Sequence, residues 1–174
     1  MKKALWVFAV VLFGCADNPP TIDGHTYKTV QIGDQEWFAE NLKTTVYANG
    51  DVIPANLSDD EWGSIEIGAL AVYEGEILYN WYAVNDVRCL CPKGWHVPTD
   101  REWTIMTDFL GGNEVAGEKM RTTYGWKDGG NGTNSSGFSG LPGGSRDALG
   151  AFDYAGLKGG WWSSSMSDFA AWYR

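Results

Sequence analysis

The run Cys91-Pro92-Lys93-Gly94-Trp95-His96-Val97-Pro98-Thr99-Asp100-Arg101-Glu102-Trp103 packs a cysteine, an extended segment and a helix start into thirteen residues. Trp95, His96 and Val97 alternate apolar and polar as a strand does, and Pro98 ends that segment. Thr99 then stands three residues before Glu102, the spacing at which the two side chains can exchange hydrogen bonds with each other's backbone N–H and open a helix. Trp103, Met106 and Leu110 fall on one face behind it, with Ile105 and Phe109 beside them, until Gly111-Gly112 stops the turn. The pattern predicts one principal helix over about 99–110 in a small α+β domain, with a cysteine of the kind that pins extracellular folds.

Working outward, the amino terminus carries the other clear signal. Lys2 and Lys3 precede an unbroken apolar stretch from Ala4 to Phe13, too short to span a bilayer as a helix. An export signal over 1–14 is the reading that fits. Leu12-Phe13-Gly14-Cys15 is similar to the lipobox of bacterial lipoproteins, with a small residue for the peptidase and a thiol at Cys15 to take a lipid. Polar Asp17-Asn18-Pro19-Pro20 follows at once, so residues 15–24 read as a tether and 25–174 as the domain. The expected address is the cell envelope, lipid-anchored at the outer membrane or cell surface. The plain alternative is a secretory leader with an incidental cysteine.

Composition bounds the rest. The chain has 174 residues and a formal charge of −9, and removal of the leader takes away two lysines. An acidic protein without a basic cluster repels phosphate backbones, which argues against nucleic-acid partners. Twenty-three glycines beside ten tryptophans describe a loop-rich fold held by aromatic anchors. The two remaining cysteines, Cys89 and Cys91, are spaced too tightly for an unstrained disulfide, so at least one seeks a partner elsewhere.

Hairpins are expected around Gly33-Asp34 and Glu74-Gly75, a capped helical turn at Ser58-Asp59-Asp60-Glu61-Trp62, and a core strand at Trp161-Trp162-Ser163. Asn80-Trp81-Tyr82-Ala83-Val84 reads equally as a strand end or a helical turn. Residues 111–160 show little periodicity, with islands at Trp126, Phe138, Phe152 and Tyr154.

These pieces, in order, carry a resemblance. Val30-Gln31-Ile32-Gly33 with Trp37 to Leu42, Leu78-Tyr79-Asn80-Trp81-Tyr82-Ala83-Val84, and Cys91 through Trp103 come first. Asn131-Gly132-Thr133-Asn134, Leu141-Pro142-Gly143-Gly144 with Arg146, and Trp161-Trp162-Ser163-Ser164 complete the set. The chain resembles the Fibrobacter succinogenes major paralogous domain of bacterial surface proteins over nearly all of its mature length. The resemblance implies a C-type-lectin-like fold with short antiparallel strands, related to formylglycine-generating enzymes. It also implies a closing strand whose cysteine would pair with Cys91. That strand is missing after Arg174, so an incomplete domain is expected, short by a bridge worth on the order of 2–5 kcal/mol.

No catalytic constellation emerges. His25 and His96 are the two histidines, and His96 reads as a surface or hydrogen-bonded side chain. No nucleophile elbow, phosphate loop or His/Cys metal spacing occurs, and no late cysteine pair supports formylglycine-type chemistry. The expected role is non-catalytic binding or adhesion toward a glycan or protein ligand. A structural envelope protein or a truncated, non-functional paralogue is the rival. Trp62, Trp81 and Trp126, near polar or glycine-rich segments, are the candidate ligand-stacking residues. Asp128, Asn131 and Asn134 could offer oxygens to calcium, the one cofactor the loop suggests. That loop is expected to be a recognition surface, so that shortening it would alter binding more than stability.

Overall fold

Short-range signals of capping and turn formation are obeyed almost wherever they occur. The computed structural model describes residues 4–5, 10–12, 19–166 and 171–174. Strands β1 (Ala4–Leu5), β2 (Val10–Leu12), β3 (Thr21–Ile22), β4 (His25–Thr26), β5 (Thr29–Ile32) and β6 (Gln35–Phe38) precede helix α1 (Asp59–Ser64). Then come β7 (Leu70–Tyr73), β8 (Glu76–Asn80), α2 (Trp81–Val84), α3 (Asp100–Phe109) and α4 (Asn113–Met120). The last strands are β9 (Gly143–Arg146), β10 (Phe152–Ala155), β11 (Trp162–Met166) and β12 (Ala171–Tyr173). Among the described residues the strands form a sheet of order β10-β9-β1-β8-β7, a second of order β2-β6-β5, and two ribbons, β3-β4 and β11-β12. Among the described residues the pairings between these strands are antiparallel, with an isolated parallel bridge between Arg121 and Gly140. The fold is α+β, as expected.

Both anticipated hairpins form. β5 and β6 pair with Ile32 opposite Gln35. Gly33, at φ +60°, turns the chain, and a Cβ there would meet the Phe109 ring at 3.1 Å. β7 and β8 pair with Tyr73 opposite Glu76, and Glu74 and Gly75 both have positive φ, as a tight two-residue turn requires. Asn80 resolves the ambiguous segment after it: it ends β8 and caps α2, its side-chain oxygen accepting from Ala83 N at 3.0 Å. The β3-β4 ribbon begins inside the stretch expected to be tether.

Helix α3 starts as its sequence predicts. Thr99 N and Oγ1 both donate to Glu102 Oε2, and Glu102 N donates back to Thr99 Oγ1. Trp95-His96-Val97 is not a strand of any of the sheets, yet its burial alternates, and Ser164 N donates to Pro98 O at 2.7 Å to tie it to β11. His96 Nε2 lies 2.8 Å from the free Glu102 oxygen, the hydrogen-bonded histidine that was expected. Burial alone would raise the Glu102 carboxyl, but the bonds from His96 and Thr99 outweigh it and hold the group below its usual range. With its folded pKa below the unfolded value of about 4.3, the carboxylate stabilises fully above that pH and loses this contribution as pH falls through the folded value. Glu102→Gln should therefore melt lower than wild type at neutral pH, with the gap closing in acid; a gap constant down to pH 3 would contradict the assignment.

Helix α4 was not anticipated. Its N-cap is Gly112, with no side-chain cap bond, and only Ala116 and Met120 are buried. Two apolar contacts four residues apart leave no periodicity to read.

The core is a web of aromatic rings. Trp103 lies 4.8 Å from Trp37, 5.8 Å from Phe138 and 6.5 Å from Trp161, while Phe38 packs on Trp95 and stacks on Tyr27. The buried indoles also bond to distant backbone. Trp103 Nε1 donates to Trp162 O, and Trp162 Nε1 donates to Tyr79 O. Burying a Trp of this kind combines a large apolar area with a satisfied N–H, which suits a fold with few long elements. Trp95, Trp103, Trp161 and Trp162 are all core residues, as their patterns implied.

Among the described residues no helix is long and apolar enough to cross a membrane. The apolar run at the amino terminus instead contributes strands: Leu5 is buried within the larger sheet, and Val10–Leu12 borders β6.

Candidate functional site

β9 and β10 are held unusually close. Gly144 sits at φ +67°, and a Cβ on it would come within 2.3 Å of Asp153 O, so only glycine fits. Beside it Arg146 is buried, its Nε donating to Gly150 O and its Nη2 to Leu57 O and to Asp59 Oδ1 at 2.9 Å. The guanidinium lies 4.5 Å from the Trp62 ring centroid and 4.9 Å from that of Phe152. Phe152 in turn stacks on Tyr73 at 4.6 Å. A chain of contacts Trp62–Arg146–Phe152–Tyr73 therefore runs from the core to the surface, and each planar group restrains the next.

The outer end of that chain opens into a groove of about 600 Å³ lined by Tyr73, Glu74, Glu76, Phe152, Asp153 and Tyr154, with Lys127 and Leu157 at its margin. Tyr154 is half exposed at φ +65°, with the Lys158 ammonium 4.0 Å from its ring centroid. Lys127 Nζ donates to Ala155 O, and three carboxylates against this lysine leave the lining net negative. A second groove of about 620 Å³ shares Glu76 and Leu141 as a common wall and adds Asn41, Lys43, Glu40, His25 and Tyr124. There Asn41 Nδ2 donates to Glu76 Oε2 at 3.4 Å, and Asn41 Oδ1 accepts from Trp161 Nε1. Flat rings beside carboxylate and amide oxygens can grip a ligand with apolar faces and hydroxyl edges.

The structure corrects the sequence-derived sites. Trp62 is fully buried beneath Arg146 with Nε1 donating to Asp147 O, and Trp81 is buried 5.5 Å from Trp162, so neither ring is open to solvent. Trp126 is half-buried, its Nε1 donating to Thr122 Oγ1 and Gly140 O with Arg121 over its ring; it supports the loop. Asp128, Asn131 and Asn134 do not converge as a cation cage. Asn131 Oδ1 accepts from Trp126 N and Asn134 Oδ1 from Ser139 N, while Asp128 is exposed at φ +54°. Among the described residues no three His, Cys, Asp or Glu side chains are grouped to hold a metal.

The loop itself serves helix α4. Thr133 N donates to Glu118 O, Ser136 N to Lys119 O, Asn134 N to Arg121 O and Gly132 N to Thr122 O. Carbonyls at a helix C-terminus lack intrahelical partners, and this loop supplies them. These bonds give the loop a structural role.

Tyr73, Phe152, Tyr154 and Glu76 line the groove but are not among the candidates the sequence offers. The available signal was Phe152-Asp153-Tyr154, aromatic at alternate positions between the glycines Gly150 and Gly156. Both histidines are engaged, His25 with Glu40 at 3.1 Å and His96 with Glu102. Cys15 lies outside the described residues. Cys89 and Cys91 are both free thiols, the first exposed and the second buried, where desolvation pushes its pKa up. A thiol reagent at pH 8 should accordingly label Cys89 in the native Cys15→Ser protein and Cys91 only on unfolding; simultaneous labelling would refute the burial of Cys91.

Searches of curated proteins and of solved structures return no match. A family model matches residues 30–173, spanning the hairpins, both longer helices, the Arg146 column and the groove. The chain belongs to the Fibrobacter succinogenes major domain family.

Proposed function

We propose that this chain is a non-catalytic binding module of the cell envelope, taking neutral carbohydrate in the groove formed by Tyr73, Phe152 and Tyr154. The observation that carries the reading is the stacked Tyr73–Phe152 pair, braced from beneath by Arg146, next to the carboxylates of Glu74, Glu76 and Asp153. Aromatic faces suit the C–H faces of a sugar ring, and carboxylates accept from its hydroxyls. The negative lining disfavours acidic polysaccharides and nucleic acids. The domain is taken to be C-type-lectin-like, in keeping with its short antiparallel strands and irregular second half. Residues 1–14 are a leader, Cys15 carries the lipid, and the protein is displayed at the outer membrane or cell surface. The non-catalytic reading is supported by the pairing of both histidines with carboxylates and by a groove lining that holds neither cysteine.

A glycan array probed with the folded protein, followed by calorimetry on the best neutral oligosaccharide, tests the groove. Tyr154→Ala should weaken binding roughly tenfold, about 1.4 kcal/mol of lost ring contact, with the melting temperature nearly unchanged because the ring is half exposed. Wild-type affinity in both Tyr154→Ala and Glu76→Gln would remove the groove from consideration. Palmitate incorporation that depends on Cys15 tests the anchor separately.

A further inference from the structure

A single ridge separates the two grooves. Glu76 and Leu141 line both, while Tyr124 lines the second and its chain neighbour Gly125 the first. The ridge is firmly packed. A Cβ on Gly125 would lie 3.7 Å from Pro142 Cδ, and Thr122 Oγ1 donates to Tyr124 O at 2.7 Å. Glu76 is its polar crest: Oε2 accepts from Asn41 Nδ2, and Lys43 Nζ lies 3.9 Å from Oε1, both partners belonging to the second groove. The second groove also differs from the first in charge, because Lys28 and Lys43 offset Glu40 and Glu76. Its His25 is fixed by Glu40 at 3.1 Å and by the edge of the Tyr27 ring at 4.5 Å. Tyr124 stands apart from these engaged groups. It is 66 % exposed, and among the described residues its side chain has no hydrogen bond and no ring or cation partner. An open tyrosine face beside donors and acceptors already held in place has the make-up of a stacking subsite.

We propose that the second groove is an extension subsite for the ligand of the first, so that the chain selects a long neutral oligosaccharide lying across the Glu76–Leu141 ridge over a short one. The carbohydrate reading of the first groove, on which this inference rests, places one sugar on the Tyr73–Phe152 pair. Units beyond the ridge then stack on Tyr124, with their hydroxyls toward Asn41, Lys43 and Glu40. Balanced charge in the second groove suits such units, since it neither repels nor concentrates an ionised group. The ligand itself tethers the two contacts, so the second forms at high effective concentration and adds affinity that a fragment confined to one groove lacks.

The test titrates the full chain carrying Cys15→Ser by calorimetry with short and long members of neutral series: maltose and maltohexaose, cellobiose and cellohexaose, mannobiose and mannohexaose. In a series that binds, the hexasaccharide should bind roughly 30-fold or more tightly than the disaccharide, well beyond the few-fold that the several registers of a longer chain supply. Tyr124→Ala should reduce that ratio to the few-fold level while melting like wild type, because the ring is exposed. Tyr154→Ala should weaken both oligomers alike and keep the ratio. A ratio of only a few-fold in the wild type overturns the extension and leaves the first groove standing. So does a ratio undiminished in the Tyr124→Ala, Lys43→Ala double variant. Failure of all six oligomers to bind overturns the carbohydrate reading of the first groove, and the extension with it.

Discussion

Trp103→Ala should leave no cooperatively folded domain. The indole is fully buried, touches Trp37, Phe138 and Trp161, and donates its N–H to Trp162 O, joining α3 to β11 and to the β5-β6 hairpin. Removing a buried aromatic of this kind costs roughly 3–5 kcal/mol, against a total stability of about 5–15 kcal/mol for an ordinary domain. Few neighbours can collapse into the space, because the surrounding rings are themselves large and buried, and Trp161 is also held by its bond to Asn41 Oδ1. Phe109→Ala on the same helix is the control: Phe109 is 65 % exposed and covers Gly33, so its loss should cost about 1 kcal/mol or less. Urea denaturation of the two variants measures the difference. A Trp103→Ala protein that unfolds cooperatively within about 1 kcal/mol of wild type would refute the central place of this ring.

Replacing Gly129 to Asn134 with a short turn should lower the melting temperature by roughly 5–15 °C. The excision removes the N–H donors of Gly132, Thr133 and Asn134 from Thr122 O, Glu118 O and Arg121 O, together with the Asn131 and Asn134 side-chain oxygens that hold Trp126 N and Ser139 N. At a net 0.5–1.5 kcal/mol for each of three backbone bonds, the loss is about 2–4 kcal/mol, which for a domain of this size corresponds to that shift. Gly132→Ala isolates the effect. Its Cβ would fall 2.4 Å from Glu118 O and 2.6 Å from Arg121 O, so the loop must lift from the helix end without any shortening. Calorimetry on both variants checks this. An unaltered melting temperature in the excised form would return the loop to the role of a recognition surface.

The contrast between expected and observed sites has a physical origin. Trp62 was a reasonable ligand-facing residue from its neighbours, since Ser58 to Glu61 are polar and the α1 cap forms as expected. What buries it is Arg146 and the carbonyl of Asp147, 85 residues away along the chain. Trp81 disappears for the same reason, against Trp162. Tyr73 and Phe152 line the groove as a stacked pair through a contact between strands that no short window contains, β7 and β10, at 4.6 Å between ring centroids. The Asn131-Gly132-Thr133-Asn134 run has the composition of a cation loop, yet its N–H groups are turned toward the end of α4, whose weak periodicity hides it from a local reading, and its amide oxygens accept from Trp126 N and Ser139 N.

From sequence alone came the α+β class, the reciprocal Thr99–Glu102 start of α3, the hairpins at Gly33-Asp34 and Glu74-Gly75, the cap at Ser58, the aromatic core of Trp95, Trp103, Trp161 and Trp162, and the family. Caps and turns depend on hydrogen bonds and φ preferences among residues within about four positions of one another, so a short window contains all the partners. Tertiary structure alone decided which tryptophans leave solvent, which tyrosines remain in it, what the glycine–asparagine loop bonds to, and that an amino-terminal apolar run divides two strands of a sheet. Burial and pairing of that kind are properties of contacts between residues from ten to more than a hundred positions apart, such as Gly132 with Thr122, Trp103 with Trp162 and Trp161 with Asn41, and no short local pattern carries information about the far partner.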